Sequence, residues 1–276
     1  MAGADGPKPV SALSMSLPPN RLDRFARHIV LPEVGGAGQV ALSKAHVVLI
    51  GCGGIGSPAL QYLAGAGVGT ITLVDDDVVD ASNLQRQTIF TEADIGRLKA
   101  EAAAEWVAKF DPRIEARAVV IRLGSDNAAR VLGGGVTVVL DGCDNFATRL
   151  AVSDAAVSIG LPLTSAAVGR FQGQIANFAG HLPGQPCYRC WVGDAFDADY
   201  CDSCAADGVL GAFVGTVGAF AAMSAIRVIL QGHAALGDPQ FGQLQLFDGL
   251  APSLRTIKVP KDADCKGCNH QLAPSM

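Results

Sequence analysis

The stretch HVVLIGCGGIGSPAL, residues 46–60, joins an apolar run to a glycine-rich turn and then to a helical segment. The run His46–Ile50 predicts a buried strand, while Ser57 and Pro58 are typical of a helix cap and a first helical turn. A Gly-x-Gly-x-x-Gly turn in this setting binds phosphate, because the missing side chains let backbone N–H groups and the positive helix end approach an anion. We therefore interpret four glycines as part of a nucleotide site: Gly51, Gly53, Gly54 and Gly56.

Beyond this turn, apolar β-branched runs continue to alternate with helical segments. Further strands are predicted at residues 70–74, 116–121, 136–140 and 162–166, with helices at 98–110, 125–132 and 145–158. Strands that alternate with helices form a mainly parallel sheet, so we expect a doubly wound, Rossmann-like α/β fold. Asp75 ends the second strand, where a carboxylate can accept hydrogen bonds from ribose hydroxyls.

The chain divides into three regions by composition and pattern. Residues 1–20 contain several Pro and Ser without a hydrophobic period, and we expect a disordered N-terminal arm there. Residues 21–169 form the nucleotide-binding α/β half, beginning with a helical segment over 21–44. Residues 170–276 change to Gly-rich hairpins, a cysteine-rich loop and two short strands at 243–247 and 254–259. We expect this last region to extend the same sheet with antiparallel strands.

One uncharged stretch, residues 209–226, approaches the length of a membrane span. It is rich in Gly and Ala, it is followed at once by Arg227, and its ends lack Tyr and Trp. These features favour a fully buried core helix over a membrane segment. The spacing of Gly211 and Gly215 permits close packing against another helix.

The overall charge and the cysteine usage exclude several classes of partner. The net charge is -5 and no basic stripe is present, which argues against nucleic-acid binding. Eight cysteines suit a disulfide scaffold only in a short secreted chain, and this chain opens without a secretory signal pattern. We therefore expect a soluble, cytoplasmic protein with reduced thiols and no membrane partner.

The loop between Asp75 and the helix near Leu98 is far longer than such a connection requires, and length of this kind is often functional. Nucleotidyl transfer needs cations for the leaving pyrophosphate and a carboxylate for Mg²⁺, whereas hydride transfer builds no phosphate charge. Asp141 and Asp144 leave strand four at the switch point of the sheet, where such ligands bind. Any one cation of this loop fits a solvated face equally well. The grouping of amide and cationic side chains in the loop and just after it favours nucleotidyl transfer: Asn83, Arg86, Gln87, Arg97 and Lys99.

Three Cys-x-x-Cys pairs are present, and any two of them can form a closed, structural Cys₄ zinc site. The pairs are Cys187 with Cys190, Cys201 with Cys204, and Cys265 with Cys268. Spacing alone favours the first two pairs, because only ten residues separate them. Cys52 and Cys143 are most simply small core residues.

The motif Ser82-Asn-Leu-Gln-Arg-Gln87, together with Lys99 and Asp141-Gly-Cys-Asp-Asn145, resembles the bacterial E1-like activating enzymes of the MoeB, ThiF and HesA family. The similarity runs from about residue 24 to residue 268. It implies ATP-dependent adenylylation of the C-terminal Gly-Gly carboxylate of a small ubiquitin-like sulfur-carrier protein. Pyrophosphate is released, and the acyl adenylate is later converted to a thiocarboxylate.

The resemblance also implies roles for individual residues. Gly54 would back the adenosine and Asp75 would hold the ribose. Asn83 and Arg86 would reach the phosphates, and Lys99 would stabilise the leaving charge. Asp144 would hold Mg²⁺. The remaining residues expected at the ATP site are Asp77, Ser82, Gln87 and Asn145.

Arg27 matches the arginine that the family lends across a dimer to the other subunit's ATP, so the resemblance implies a homodimer. It places zinc on Cys187, Cys190, Cys265 and Cys268 and makes residues 170–276 the carrier-binding region. Cys204 then aligns with a loop cysteine that some relatives use for a persulfide or thioester-type intermediate. Cys201 has no counterpart in the family. Cys201 and Cys204 could form a redox-active pair, or both could be thiols without a function. No rhodanese-like domain follows Cys268, so a separate sulfur donor is expected.

Two other functions fit part of the sequence. An NAD-dependent oxidoreductase would explain the glycine turn, but it has no need for the cluster from Asn83 to Arg86. A catalytically silent, zinc-stabilised binding scaffold would explain the cysteines. Within the leading hypothesis, carriers for molybdopterin and for thiamine synthesis both remain candidates, with molybdopterin slightly favoured.

Overall fold

The computed structural model describes residues 19–193 and 208–269. Eight strands are present in this part of the chain: β1 His46–Ile50, β2 Thr70–Val74, β3 Glu115–Val119, β4 Val138–Asp141, β5 Leu163–Gly169, β6 Gln172–Phe178, β7 Gln243–Asp248 and β8 Ser253–Lys258. The helices are α1 Pro19–Ile29, α2 Gly35–Lys44, α3 Gly56–Ala66, α4 Lys99–Phe110, α5 Ala128–Leu132, α6 Phe146–Ser158, α7 Tyr188–Val192 and α8 Gly211–Ile229. Apart from the N-terminal helical segment, the elements whose bounds the sequence predicts begin and end within three residues of the expected positions. The sequence predicts no bounds for β6 and α7.

All eight strands form one sheet in the order β3-β2-β1-β4-β5-β6-β7-β8. The strands from β3 to β5 are parallel, and β6, β7 and β8 add antiparallel pairs. The expected doubly wound sheet with an antiparallel extension is therefore confirmed. Because β1 pairs with both β2 and β4, the chain reverses its direction of travel across the sheet at β1, which is where such folds bind ligands.

The central strand β1 is buried along its whole length, and its side chains alternate between two cores. Val47 and Leu49 belong to the larger core, which α3 and α8 cover. Val48 and Ile50 belong to the second core, beneath α5 and α6. Burial on both faces explains why this strand is a continuous apolar run and not an alternating one.

The expected single helical segment over residues 21–44 is wrong, because two helices occupy it. Pro32 disfavours helical backbone at Leu31, and Gly35 has a φ of +61°, so the chain turns between α1 and α2. Helix α1 is held by a buried ion pair between Arg21 and Asp111 and by Phe25, which packs on Gly67. The expected disordered arm falls almost wholly on residues 1–18, which lie outside the described residues.

The start of α3 also differs from the expectation at one residue. Ser57 does not cap the helix: its hydroxyl donates to the Cys52 carbonyl at 3.3 Å, and α3 already begins at Gly56. Pro58 does lie in the first turn. No side chain caps this helix, and the Ser57 N–H instead donates to the Gly53 carbonyl at 2.9 Å.

Helix α8 packs on α3, β5 and β6. In the part of the chain that the structure describes, it is the one helix long and apolar enough to cross a membrane by length and composition. It is half buried and not fully buried as expected, with Met223 40% exposed. The expected small-residue contact lies elsewhere, since a Cβ on Gly215 would meet nothing within 4 Å, whereas one on Gly218 would lie 2.4 Å from Pro58 of α3.

Two glycines of α3 allow a matched test of the turn. A Cβ at Gly56 would lie 1.9 Å from the Gly51 carbonyl oxygen, whereas a Cβ at Gly65 would meet nothing within 4 Å. We expect Gly56→Ala to lower the free energy of unfolding by about 3 kcal/mol or more, because the turn must open. Gly65→Ala should raise it by up to about 1 kcal/mol, because alanine loses less backbone entropy. Urea unfolding followed by circular dichroism measures both, and equal effects of the two substitutions would contradict this account.

Candidate nucleotide site and cysteine cluster

A cavity of about 800 Å³ opens at the carboxyl ends of β1, β2 and β4. It follows from the sheet order, because the chain leaves β1 and β4 towards opposite faces of the sheet, where α3 and α6 pack. Most of the residues that the sequence predicts for the site line this cavity: Gly51, Gly53, Gly54, Asp75, Asp77, Asn83, Arg86, Gln87, Lys99, Asp144 and Asn145.

Gly56, Ser82 and Arg27 are among the predicted site residues that do not line the cavity. Gly56 lies beneath it, against the Gly51 carbonyl. Ser82 is exposed and acts on the loop itself, since its hydroxyl accepts from Asn83 at 3.2 Å and its carbonyl accepts from Arg86 at 3.1 Å. Arg27 is exposed on α1 and does not reach the cavity of its own chain.

The glycine turn brings two loops to within contact distance. Gly51 has a φ of +82°, and a Cβ there would lie 3.2 Å from the backbone of Cys143, in the loop after β4. Gly54 is closely covered by Val214 of α8, because a Cβ at this position would lie 2.8 Å from the Val214 side chain. Gly53 is more open, since a Cβ there would lie 3.6 Å from its nearest neighbour, the side-chain amide nitrogen of Gln87. The turn therefore presents its backbone to the cavity at Gly53.

Asp75 is held at the end of β2 by two backbone amides. Its carboxylate accepts from the Cys52 N–H at 2.7 Å and from the Asp77 N–H at 2.9 Å. Burial raises the pKa of Asp75, although these hydrogen bonds and the charge of Lys99 oppose the rise. A carboxylate that is kept in a cleft despite unfavourable burial is characteristic of functional sites.

The cations of the long loop are not equivalent. The Lys99 ammonium, 7% exposed, faces the cavity and contacts the Asp77 carboxylate at 3.0 Å, while Asp77 is 71% exposed. Arg86 also lines the cavity. Arg97, expected with this group, does not line it, because it pairs with Asp94 at 2.8 Å and with Glu105. That pairing fixes the loop to α4 and leaves Arg97 no part in the cavity wall.

Gln87 carries an unsatisfied group in the cavity wall. The residue is 3% exposed, and its Oε1 is buried without a hydrogen-bond partner. Buried polar atoms are nearly always paired, so an orphaned acceptor beside a cleft points to a ligand or a water that completes it.

The two acidic residues after β4 have different surroundings. Asp141 is 1% exposed, contacts Arg149 at 3.3 Å and accepts from the Cys143 N–H at 3.0 Å. It does not line the cavity. Asp144 is exposed and does line it. Asp141 is thus a structural acid, and Asp144 is the acid available to a ligand.

Several residues of the cavity wall were not anticipated. Ile121, Arg122 and Leu123 follow β3, whose carboxyl end points to the same edge of the sheet, and this topological rule could have found them. Tyr188 and Trp191 come from α7, far along the chain, and no local signal connects them to the site. Cys143, expected in the core, is half-buried and also lines the cavity.

The four cysteines that the resemblance selects lie together. Sulfur to sulfur distances are 3.8 Å for Cys187–Cys190, 3.5 Å for Cys187–Cys265 and 3.5 Å for Cys190–Cys268. All four sulfur atoms lie within 4.8 Å of one another. Tetrahedral zinc with bonds of about 2.3 Å requires sulfur separations of about 3.8 Å, which these distances match. Cys201 and Cys204 lie outside the described residues, so their expected roles stay predictions.

The surroundings of the cluster suit metal ligands. A hydrogen bond from the Cys187 thiol lowers the pKa of Cys190 to about 5, which favours a thiolate. A Cβ at Gly180 would lie 2.5 Å from the Cys187 Cβ, so only glycine fits beneath the cluster. Arg189, between the two cysteines, forms a forked ion pair with Asp154 of α6 at 2.7 Å for both contacts.

Comparison with known proteins gives several strong matches. The profile of the ThiF family matches residues 25–267. The SAMP-activating enzyme E1 of Haloferax volcanii is 39% identical over 256 residues, which cover 93% of this chain and 92% of that protein. The sulfur carrier protein adenylyltransferase of Thermus thermophilus is 40% identical over 255 residues, covering 91% of this chain and 92% of that protein.

Longer relatives and solved structures also match. The adenylyltransferase and sulfurtransferase MOCS3 of Mus musculus is 40% identical over 96% of this chain, which spans 56% of the mouse protein. A crystal structure of E. coli MccB with MccA-N7isoASN superposes with a TM-score of 0.77 at 19% identity, covering 92% of this chain and 76% of MccB. At that identity the superposition supports the fold alone.

The raised pKa of Asp75 gives a pH-dependent prediction. The native state binds this proton more tightly than the unfolded chain does, so the contribution of Asp75 to stability is complete below its unfolded pKa of 3.8 and is lost as the pH rises through the raised folded pKa. We expect the free energy of unfolding of Asp75→Asn to improve relative to wild type between about pH 4 and about pH 8. Urea unfolding at several pH values measures this change.

Asp76→Asn is the control for this experiment, because Asp76 is adjacent but exposed. Its effect on stability should stay within about 0.5 kcal/mol across the same range. A loss of relative stability in Asp75→Asn with rising pH, or the same gain in Asp76→Asn, would contradict the burial argument.

Proposed function

This chain belongs to the ThiF family, and from that premise we propose that it is an ATP-dependent adenylyltransferase acting on a ubiquitin-like sulfur-carrier protein. It joins AMP to the C-terminal Gly-Gly carboxylate of the carrier and releases pyrophosphate. The observation that carries this conclusion is the gathering of Arg86, Lys99 and Asp144 around the backbone of the glycine turn, in one cavity.

The chemistry requires positioning and charge more than proton transfer. A carboxylate oxygen of the carrier forms a bond to the α-phosphorus of ATP, and the bond from that phosphorus to the bridging oxygen of pyrophosphate breaks. The carboxylate is already ionised at neutral pH, so no general base is needed. Cations near the phosphates offset the repulsion between the two anions and stabilise the leaving group.

We assign the groups of the cavity accordingly. The backbone at Gly53 and Gly54 receives the nucleotide, and the Asp75 carboxylate accepts from the ribose hydroxyls. Asn83 and Arg86 contact the phosphates, and Lys99 stabilises the departing pyrophosphate. The support for these roles is that all of these residues line the same cavity. The remaining lining residues of the predicted set join the same nucleotide site: Gly51, Asp77, Gln87 and Asn145.

We propose that Asp144 holds Mg²⁺. Its carboxylate is exposed in the cavity wall, and oxygen ligands of this kind are those that Mg²⁺ prefers. When bound, the ion neutralises phosphate charge during the transfer. Asp141 is unsuited to this role, because its oxygens are already bonded to Arg149 and to the Cys143 amide.

We further propose a homodimer in which Arg27 reaches the cavity of the partner subunit. This proposal is supported by the exposure of Arg27 and by its position outside its own cavity. The carrier would dock on residues 170–276, sulfur would come from a separate donor, and the reaction would take place in the cytoplasm. Cys204 would form a persulfide or thioester-type intermediate, and the carrier would serve molybdopterin or thiamine synthesis, with molybdopterin slightly favoured.

Zinc is the metal that best suits the four-cysteine cluster. Four thiolates with tetrahedral spacing and no open coordination position form a structural site, not a catalytic one. The ion would tie residues 265–268 to α7, and no step of the transfer involves it.

The relatives favour nucleotidyl transfer over an NAD-dependent oxidoreductase, since three of them are named adenylyltransferases or E1 enzymes. The catalytically silent scaffold is separated from the proposal by experiment, because it predicts carrier binding without AMP transfer.

The first test is the exchange of labelled pyrophosphate into ATP. With wild-type protein we expect pyrophosphate exchange only when a carrier ending in Gly-Gly is present. We also expect the mass of that carrier to increase by the mass of AMP. Asp144→Ala should lower the exchange rate by about a thousandfold, because phosphate charge is no longer neutralised. Asp126→Ala, an exposed acid outside the cavity, should leave it unchanged. Carrier binding without AMP transfer, or full exchange in Asp144→Ala, would count against the proposal.

The second test measures zinc by mass spectrometry of the purified protein. We expect about one zinc ion per chain, because one closed Cys₄ site is present in the described residues. Cys187→Ser and Cys265→Ser should each lose the metal, while Cys201→Ser and Cys204→Ser should retain it. The opposite pattern, with zinc lost in the Cys201 and Cys204 variants and kept in Cys265→Ser, would show that the two neighbouring pairs bind the metal instead.

A further inference from the structure

Arg149 is a buried arginine in the wall of the cavity, and none of the roles assigned above uses it. It lies in the second turn of α6, five residues after Asp144, and its side chain is 7% exposed. Burying a guanidinium is unfavourable unless its donors are satisfied. The acceptors of its hydrogen bonds therefore indicate which parts of the structure Arg149 holds in place.

The two terminal nitrogens of Arg149 have four acceptors. One nitrogen contacts the Asp141 carboxylate at 3.3 Å and the Ser165 hydroxyl at 3.2 Å. The other donates to the Ala166 carbonyl at 2.8 Å and to the Cys143 carbonyl. Since each terminal nitrogen carries two N–H groups, these four bonds use all of the terminal donors and leave only the Nε–H. A hydrogen bond also joins Arg149 to the side chain of Tyr188.

These bonds join the loop after β4 to the neighbouring strand β5. Burial alone would lower the pKa of Arg149, but the acidic groups around it, Asp141 first among them, together more than offset this, so the pKa is raised and the side chain stays charged. A lysine could not make four such bonds in fixed directions, because its single ammonium lacks the planar fork of arginine.

The loop is fixed on both sides of Asp144. Cys143 is held at its carbonyl by Arg149 and at its N–H by Asp141, which Arg149 also contacts. On the other side, Asn145 caps α6 by accepting from the Thr148 N–H at 2.9 Å. Asp144 therefore projects into the cavity from a backbone whose neighbours on both sides are bonded, and Arg149 supplies the bonds on one side.

We propose that Arg149 is a positioning residue that holds the Cys143–Asp144 backbone in place, so that the Asp144 carboxylate meets the cation of the nucleotide. The inference rests on the function proposed above. Arg149 acts through Asp144 and does not itself contact the reacting atoms, which agrees with the full use of its terminal donors.

The test compares Arg149→Lys with Arg21→Lys. Arg21 is an equally buried arginine, paired with Asp111, and it does not line the cavity. Hydrogen–deuterium exchange of the peptide covering residues 142–147 is measured on the full protein without nucleotide. We expect exchange in this peptide to be about tenfold faster in Arg149→Lys, as for loss of roughly one restraining bond, and unchanged in Arg21→Lys.

The second readout is the Mg²⁺ concentration that half-saturates carrier-dependent pyrophosphate exchange. It should rise about tenfold in Arg149→Lys, because the misplaced carboxylate binds the cation less well, and should stay at the wild-type value in Arg21→Lys. A smaller change in the same direction is expected for Ser165→Ala, which removes one acceptor of Arg149. Ser165→Ala keeps the inference testable if the lysine variant does not fold.

The outcomes separate the two proposals. If hydrogen–deuterium exchange of the 142–147 peptide is unchanged in Arg149→Lys and in Ser165→Ala, the positioning role is overturned, even where the wild-type enzyme transfers AMP. An equal change in Arg21→Lys overturns it as well, because the effect would then reflect general stability. If wild-type protein shows no AMP transfer, the proposed function fails. The hydrogen–deuterium exchange of the 142–147 peptide still decides whether Arg149 orders the loop.

Discussion

The contact on which the site depends is that of Gly56 with the Gly51 carbonyl. With no side chain on Gly56, the chain leaves β1 and enters α3 within a few residues, and the turn stays narrow enough for its backbone to form the floor of the cavity. The same turn touches the loop after β4, since Gly51 lies against the backbone of Cys143. Two strands that are neighbours in the sheet thereby bring the backbone of the glycine turn and the Asp144 carboxylate to one cavity.

Around this floor the protein keeps several charges in poor contact with water, and each one has a partner. Asp75 receives two backbone amides, Lys99 faces Asp77, and Arg149 is enclosed by four acceptors. Fixed charges of this kind act more strongly than they would in water and need no reorganisation when the substrate binds. The buried cations among these groups also fit a site whose ligand brings a large negative charge of its own.

Local sequence predicted the sheet and most of the cavity, because both depend on short-range patterns. The glycine turn after His46–Ile50 is one such pattern, and the carboxyl ends of parallel strands then meet by topology. What sequence could not predict is how neighbours share partners. Arg97 and Arg86 lie in the same loop, yet Arg97 pairs with Glu105 of α4 and does not line the cavity. Asp141 and Asp144 likewise look equivalent until Arg149 encloses the first of them.

The cysteine cluster and the cavity are linked through one short helix. In α7, Tyr188 lines the cavity, with its ring tilted against Phe146 of α6 at a centroid distance of 6.3 Å, while Cys190 points to the cluster. A helix of five residues is too short to be stable alone, so its position depends on what holds its ends. The cysteine sulfurs hold it on one side, and the ion pair of Arg189 with Asp154 holds it on another. The cluster is remote from the glycine turn in sequence, but because it fixes this helix it also fixes part of the cavity wall.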